Sequence, residues 1–428
     1  MMNFVPVALL RGLWERHGSL LVLLGITLVA YYAALNRVSP LLWGLAALLS
    51  ATLLVGVLLP GWLVRRLSVV RHGPQRAMED ETIELQVEVE NRGWLPRFMV
   101  ELVDHLPFIG AASGTPASAI QKLGLLTYVP GGSTRRFVAA LRCEKRGFYQ
   151  LGPAGLASSF PLGLAEARQQ RSDGLQTLTI YPNVFPIVEL PLHGSPRQLH
   201  RGNYLLPESA GTAEFSGLRD YRRGDNPRHV HWPTTARLNQ LMIKEFEPLA
   251  SACLYLVLDQ SSFAEVGEGK QTSFEYAVRI AASIANFACA NNIPTRLVGQ
   301  GRETLQHPAG SGAGHYQALL DALAVVAADG MTPYAEVLQR VAIDCQYGET
   351  VVAFISEPRL RQTESLKALA ALRGMGVNVL AMVLRRSSFP GRESSHDDTG
   401  MTVASLLEMG AICLEIEAGT DLLKLFNS

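Results

Sequence analysis

"SACLYLVLDQSSF", Ser251 to Phe263, opens the part of the chain that decides the fold. Leu254 to Leu258 form an unbroken apolar run, as a strand buried on both faces does, and Asp259 stands where the run stops. The period then changes. In "TSFEYAVRIAASIANFACANN", Phe274, Ala277, Val278, Ala281, Ile284, Ala285 and Ala288 recur at helical spacing. The alternation continues through strand "TRLVGQ", helices "HYQALLDALAVVAA" and "YAEVLQRVAI", strand "TVVAFIS", helix "SLKALAALRGMG", strand "VNVLAMVL", helix "VASLLEM", strand "AICLEIE" and helix "DLLKLFN". Such order predicts a Rossmann-like α/β domain over residues 251–428, its sheet mostly parallel and covered by helices on both faces.

Upstream the rhythm differs. "TIELQVEVENRG" puts Ile83, Leu85, Val87 and Val89 on one face against Glu84, Gln86, Glu88 and Glu90 on the other, the period of a half-buried strand. More strand segments follow in "RFMVELVDHL", "STRRFVAALRCEKRG", "FYQLGPAGLAS" and "LQTLTIYPNV", which predicts a β-sandwich-like domain over 77–185. Gly110 to Gly124, rich in small residues, reads as a loop. Residues 186–250 read as a linker.

The first 70 residues are a different material. The chain is uncharged from Ser19 to Leu35 and from Val38 to Val64, against the roughly 20 residues needed to cross a bilayer, so residues 1–70 predict a membrane hairpin of two transmembrane helices. Arg11, Arg16, Arg65, Arg66, Arg71 and Arg76 flank the outer ends and Arg37 alone lies in the turn. By the positive-inside rule both termini are expected in the cytoplasm. Trp43 and Trp62 are placed as interfacial anchors, with Tyr31 and Tyr32 candidates for the same belt.

Bulk composition narrows the function classes. The 428 residues hold 38 Lys plus Arg against 38 Asp plus Glu, so no net field draws the chain to nucleic acid. Five cysteines lie far apart without a CxxC pair, which argues against a disulfide framework or a zinc knot. The chain contains no G-x-x-x-x-G-K-[ST], no G-x-S-x-G and no HExxH, which argues against ATP hydrolysis and the common hydrolase chemistries.

In an open parallel sheet, ligands gather beyond the carboxyl ends of the strands, where Asp259 lies. "DQSSF" resembles the metal-ion-dependent adhesion site (MIDAS) of von Willebrand factor A domains, Asp-x-Ser-x-Ser with a later Thr and a later Asp. Asp259, Ser261 and Thr332 of "GMTPYAEVL" match and are candidate ligands for Mg2+, with Glu357 of "FISEP" in reserve. Phe263 occupies the third position and cannot ligate. The alternative is that Asp259 and Ser262 cap or turn the strand end.

A second motif lies just before this domain. "GLRDYRRGDNPRHVHWPTTARLNQLMIKEFEP" crowds arginines with Tyr221 and Trp232. Asp225, Asn226 and Pro227 read as a helix start, so Asn226 to Trp232 predicts a short helical turn, and "LMIKEFEPL" an extra strand. Two readings stay open: a bidentate salt-bridge lattice, or a contact module facing a partner. The stretch resembles the signature of the domain-of-unknown-function 58 (DUF58) family through Arg219, Tyr221, Gly224, Asp225, Arg228, Trp232, Thr235, Ala236 and Arg237, with Arg223 inside the run and His231 where the family usually has Asp. The resemblance implies a membrane-anchored protein of the bacterial inner membrane that works with a MoxR-type AAA+ ATPase in assembly or maturation of other proteins.

The leading expectation is therefore an interaction or scaffold protein, and not an enzyme. The rivals are a metal-dependent hydrolase using Asp259, and RNA binding through the Arg/Tyr/Trp cluster. The neutral remainder of the chain ranks RNA low, and no nucleic-acid partner is expected.

Overall fold

A computed structural model of the chain describes residues 5–37, 39–113, 120–170, 175–190, 213–220, 230–238, 240–248, 253–390 and 399–427. These divide into two compact units, Met1–Tyr181 and Pro182–Ser428.

The first unit begins with helices α1 (Val5–Arg37) and α2 (Pro40–Val64). Within them Gly18–Arg37 and Pro40–Val64 are long and apolar enough to cross a membrane. Pro40 occupies the first turn of α2, where its missing N–H costs no hydrogen bond. The helices pack together through a hydrogen bond from the Ser50 hydroxyl to the Tyr31 hydroxyl (3.0 Å) and an edge-on contact of Tyr31 with Trp43. Tyr31 thus turns toward the partner helix, whereas Tyr32 is exposed.

Ten strands follow: β1 (Leu67–His72), β2 (Arg76–Met78), β3 (Thr82–Asn91), β4 (Arg97–Asp104), β5 (Gln121–Val129), β6 (Thr134–Arg142), β7 (Gly147–Leu151), β8 (Gly155–Ser158), β9 (Ala167–Gln170) and β10 (Gln176–Tyr181). They form three sheets, β1-β3-β6, β5-β4-β8-β9 and β2-β10-β7. All their pairings are antiparallel except β2 with β10. The face predicted for β3 is the buried one: Ile83, Leu85, Val87 and Val89 are at most 4% exposed. Val87 and Val89 share one cluster with Val100, Leu102 and Leu156 from the neighbouring sheet. The loop read through Gly124 stops sooner, because β5 starts at Gln121, where its pairing with β4 overrides the small-residue composition. A buried Arg71–Asp104 ion pair links β1 to β4, and the same guanidinium donates to the Leu151 carbonyl and the Gln176 side chain. Burial raises the Asp104 carboxyl above its ordinary range more than Arg71 lowers it.

The second unit is built on a six-stranded sheet. Its elements in chain order are β11 (Ala213–Asp220), α3 (Trp232–Leu238), β12 (Met242–Pro248), β13 (Leu254–Leu258), β14 (Gly267–Glu268), β15 (Gln271–Thr272), α4 (Ser273–Ala290), β16 (Thr295–Gln300), β17 (Thr304–Gly310), α5 (Gly312–Val325), α6 (Tyr334–Asp344), β18 (Thr350–Ile355), α7 (Arg359–Gly374), β19 (Asn378–Leu384), α8 (Thr399–Glu408), β20 (Ile412–Ile416) and α9 (Leu422–Phe426). The sheet order is β17-β16-β13-β18-β19-β20. Every pairing in it is parallel except β16 with β17.

β17 is an addition to the predicted elements, an edge strand with half or more of its residues exposed and therefore no apolar run to announce it. Leu254 to Leu258 are buried throughout, as expected of a central strand. Tyr255, Val257, Val351, Ala353, Val379 and Ala381 point into one core with α6, α7 and α8. The alternate residues point to the other face, where α4 packs against β13 and α5 against α4. Thr272 caps α4 by accepting the Glu275 N–H at 3.1 Å.

The chain leaves β13 toward β16 and returns on the other side to β18, so the strand order switches at β13. There the two strands part. The fully buried Tyr334, at the start of α6, donates its hydroxyl to the Val257 carbonyl at 2.7 Å and accepts the Phe354 N–H at 3.1 Å. Tyr334→Phe leaves both backbone groups buried and unpaired, for an expected loss of about 1–3 kcal/mol. A lowered melting temperature of the full-length protein checks this.

Candidate functional site

Beyond the point where β13 and β18 part, Asp259 and Glu357 come together. Asp259 is 6% exposed and Glu357 1% exposed. The Asp259 Oδ1 atom accepts the Ser261 N–H at 2.9 Å, which closes the tight turn after β13. Its Oδ2 atom, the Ser261 hydroxyl and the Gln260 side-chain nitrogen are buried without a hydrogen-bond partner. Burial first, and the neighbouring Glu357 second, push the Asp259 carboxyl up to about 7. The Ser261 amide, the Ser261 side chain beside it and Arg386 pull it the other way.

Glu357 is engaged. It accepts the Ser365 hydroxyl from α7 and the backbone N–H of Tyr334. Burial still raises its carboxyl above the ordinary range. The threonine loop lies beside the turn: Gly330 donates to the Gln260 carbonyl and accepts from the Ser262 N–H, each at 2.9 Å. Thr332, half-buried, follows two residues on. Phe263 is exposed at the rim, and the Arg361 guanidinium lies 3.9 Å from its ring centre.

Arg386, just after β19, stands in no motif that marks it in the sequence. Its guanidinium donates to the carbonyls of Phe263, Ala264 and Ser356, and so binds the turn after β13 to the turn after β18. The Ser356 hydroxyl adds a bond to the Ala264 carbonyl at 2.6 Å. A small cavity of about 10 Å³, lined by Asp259, Ser273 and Ser356 among apolar neighbours, lies behind the carboxylate, roughly the room one water occupies.

The residues fit a hard cation in part. Two orphaned buried oxygens, Asp259 Oδ2 and Ser261 Oγ, are the donors such an ion takes, and orphaned buried polar atoms call for a partner. The third position contributes no side-chain oxygen, and the Phe263 carbonyl is taken by Arg386. Among the described residues no three His, Cys, Asp or Glu side chains converge as a metal cluster.

The signature motif is partly visible. Tyr221, Arg223, Gly224, Asp225 and Arg228 lie outside the described residues, and of Arg219 only the backbone, paired with Ile243, is described. The predicted strand "LMIKEFEPL" is β12, paired antiparallel with β11 across a bulge at Phe215/Gly217, so the segment read as a linker holds a two-stranded sheet. The predicted turn Asn226 to Trp232 falls mostly outside the described residues; the helix that is described starts at Trp232 and runs to Leu238. His231 stands just before it, its Nδ1 atom 2.8 Å from the Thr234 hydroxyl, and its N–H donates to the Met242 carbonyl. Trp232 is 65% exposed, and Leu238 and Leu241 are exposed beside it in sequence.

Residues 217–379 match the model of the family described as "Protein of unknown function DUF58". That match marks a DUF58-like region. It begins within β11 and ends within β19, so it takes in the signature, the Asp259 turn, the threonine loop and Glu357. Over 118 residues the chain is 33% identical to "Uncharacterized protein YeaD" of Bacillus subtilis (strain 168), a match spanning 28% of each chain. Among solved structures, the CARDB domain of the PF1109 protein from Pyrococcus furiosus aligns at 11% identity over 27% of this chain and 86% of that one, with a TM-score of 0.19. A beta-glucosidase from Listeria innocua aligns at 8% identity over 27% of this chain and 16% of that one, also at 0.19. Neither likeness carries an argument about this chain.

A carboxyl whose value is raised on folding favours the native state at low pH, and that contribution is lost as pH rises through about 7. Asp259→Asn is therefore expected to raise the melting temperature at pH 8 and to change it little at pH 5. Mg2+ is expected to raise the melting temperature of the unsubstituted protein more at pH 8 than at pH 5, and that of Asp259→Asn at neither. Thermal unfolding with and without Mg2+ at the two pH values checks both outcomes.

Proposed function

We propose that this chain is a membrane-tethered binding platform. Its second unit, read as a von Willebrand A-like domain, presents the strand-tip crevice and helix α3 to a protein partner. The observation that carries the reading is the crevice: a buried Asp259 whose Oδ2 atom, like the Ser261 hydroxyl, has no hydrogen-bond partner, beyond the strand ends where an open α/β sheet recruits ligands. Mg2+ held by Asp259, Ser261 and Thr332 would supply positive charge to a carboxylate of the partner; Glu357, already bonded to Ser365, supports the site from behind. Trp232, exposed within the DUF58 signature, has the character of an interface anchor.

The first unit, in this reading, is a sandwich-like domain carried by a two-span hairpin with both termini in the cytoplasm. The partner class is a MoxR-type AAA+ ATPase, on the strength of the family resemblance. Trp232→Ala is expected to abolish most recovery of an ATPase co-purified with the solubilised protein in the presence of ATP. Because Trp232 is exposed, the melting temperature should hold. Unchanged recovery would remove α3 from the interface, and no ATPase from the unsubstituted protein would remove the partner class.

A second reading has one observation in its favour. A carboxyl pushed up to about 7 is poised to take or give a proton near neutrality, which suits a hydrolase using Asp259. That reading expects turnover of a p-nitrophenyl ester or phosphoester by the full-length protein, lost in Asp259→Asn. Equal background rates for the two proteins would retire it.

A further inference from the structure

The stretch Gly147 to Ala165 contains no charged residue, although it belongs to the strand-rich part of the chain. It supplies β7 and β8 and then the turn between β8 and β9. At the tip of that turn Phe160, Pro161, Leu162 and Gly163 are all exposed, with Phe160 at 37% and Leu162 at 48%. An exposed Phe-Pro-Leu tip is an odd use of a loop in water. Its position explains it.

The turn packs along helix α2. A Cβ added at Gly56 would sit 2.6 Å from Leu164 Cδ1 and 3.4 Å from Leu162 Cδ1, so the glycine is what admits the loop. Gly56 lies two turns before the helix end at Val64, about 12 Å along the axis. Counting roughly 20 residues from Pro40 across a hydrocarbon core of ~30 Å places the boundary near Pro60, with Gly56 about 6 Å inside it. The loop tip is therefore at the depth of the upper acyl chains whenever α2 is.

The turn is held firmly. The Ser158 hydroxyl donates to the Met99 carbonyl at 3.1 Å, and the Gly163 N–H closes onto the Ser159 carbonyl at 2.8 Å. Around the helix end the surface takes on interfacial character. Arg65 and Arg66 are exposed, and Trp62 stacks under the Arg97 guanidinium at 3.8 Å. The Arg92 N–H bonds the Arg66 carbonyl at 2.9 Å, which brings the 81%-exposed Trp94 to the same end of the helix. Tryptophan and arginine at this level, with an apolar tip above it, are the arrangement of a segment seated in the headgroup and acyl boundary.

We infer that the Phe160–Leu164 turn inserts into the membrane beside α2, so that the first unit is seated in the bilayer interface and not merely tethered beneath it. The occupant of this apolar surface is lipid acyl chain. The inference rests on the reading that α2 crosses the membrane, and the experiment separates the two. Full-length protein carrying Cys413→Ser, its four other cysteines being buried, is placed in nanodiscs of phosphatidylcholine and phosphatidylglycerol. A polarity-sensitive fluorophore is attached in turn at Leu162→Cys, at Leu54→Cys in α2, and at Phe148→Cys, exposed on β7.

The expected result is that the Leu162 label is quenched by nitroxide carried near the top of the lipid acyl chain as strongly as the Leu54 label. It should also lose most of the quenching by aqueous iodide that the Phe148 label shows. If the Leu54 label is lipid-quenched while the Leu162 label is open to iodide, the insertion is overturned and the span stands. If neither is lipid-quenched, the span and the insertion fall together.

Discussion

The parting of β13 and β18, held by one tyrosine hydroxyl, is the constraint on which the candidate site depends. Paired strands share each other's backbone groups, and a crevice between them opens only where that sharing stops. Stopping it in a dry interior would strand the Val257 carbonyl and the Phe354 N–H. Tyr334 accepts one and donates to the other, so the strands separate at no loss of hydrogen bonding. The same residue gives its backbone N–H to Glu357, which fixes the far wall of the opening.

The chemistry of the crevice follows from that geometry. Two carboxyl groups are brought into a space dry enough to raise both above their ordinary range, and the chain resolves them differently. Glu357 is given a hydroxyl and an N–H, whereas Asp259 keeps one oxygen unpartnered. Arg386 supplies positive charge, yet its bonds go to three backbone carbonyls, so it acts as a fastener between turns while its field reaches the carboxylate. The outcome is a buried acid whose burial is only partly compensated, a condition that favours a cation or a proton.

In the first unit the governing contact is smaller. Gly56 removes a side chain from an apolar helix, and Leu164 fills the space. That exchange draws an uncharged turn against a helix of membrane-spanning character, and the sheet carrying the turn comes with it. Inside the same unit the Arg71–Asp104 pair ties two sheets together. Breaking a dry ion pair leaves a bare charge, which makes such a tie intolerant of losing either partner.

Much of this is legible in the sequence. Leu254 to Leu258 read as a central strand because burial on both faces leaves no polar residue to interrupt the run, and the four inward residues of β3 read correctly because a half-buried strand must alternate. Strands without such a face were not legible. β17 carries His307 and Pro308 at an exposed edge, and β5 holds Gly124 among half-exposed residues.

By itself, then, the sequence determined the α/β alternation, the two long apolar helices, the DUF58 signature and the placing of Asp259 at a strand tip, because each is written in one continuous segment whose burial sets its period. The tertiary structure alone decided which oxygens are left without partners, that Arg386 and Tyr334 build the crevice, and that Leu164 meets Gly56. These are contacts between residues far apart in the chain, and no local period encodes them, since each depends on where the strands and helices come to rest against one another.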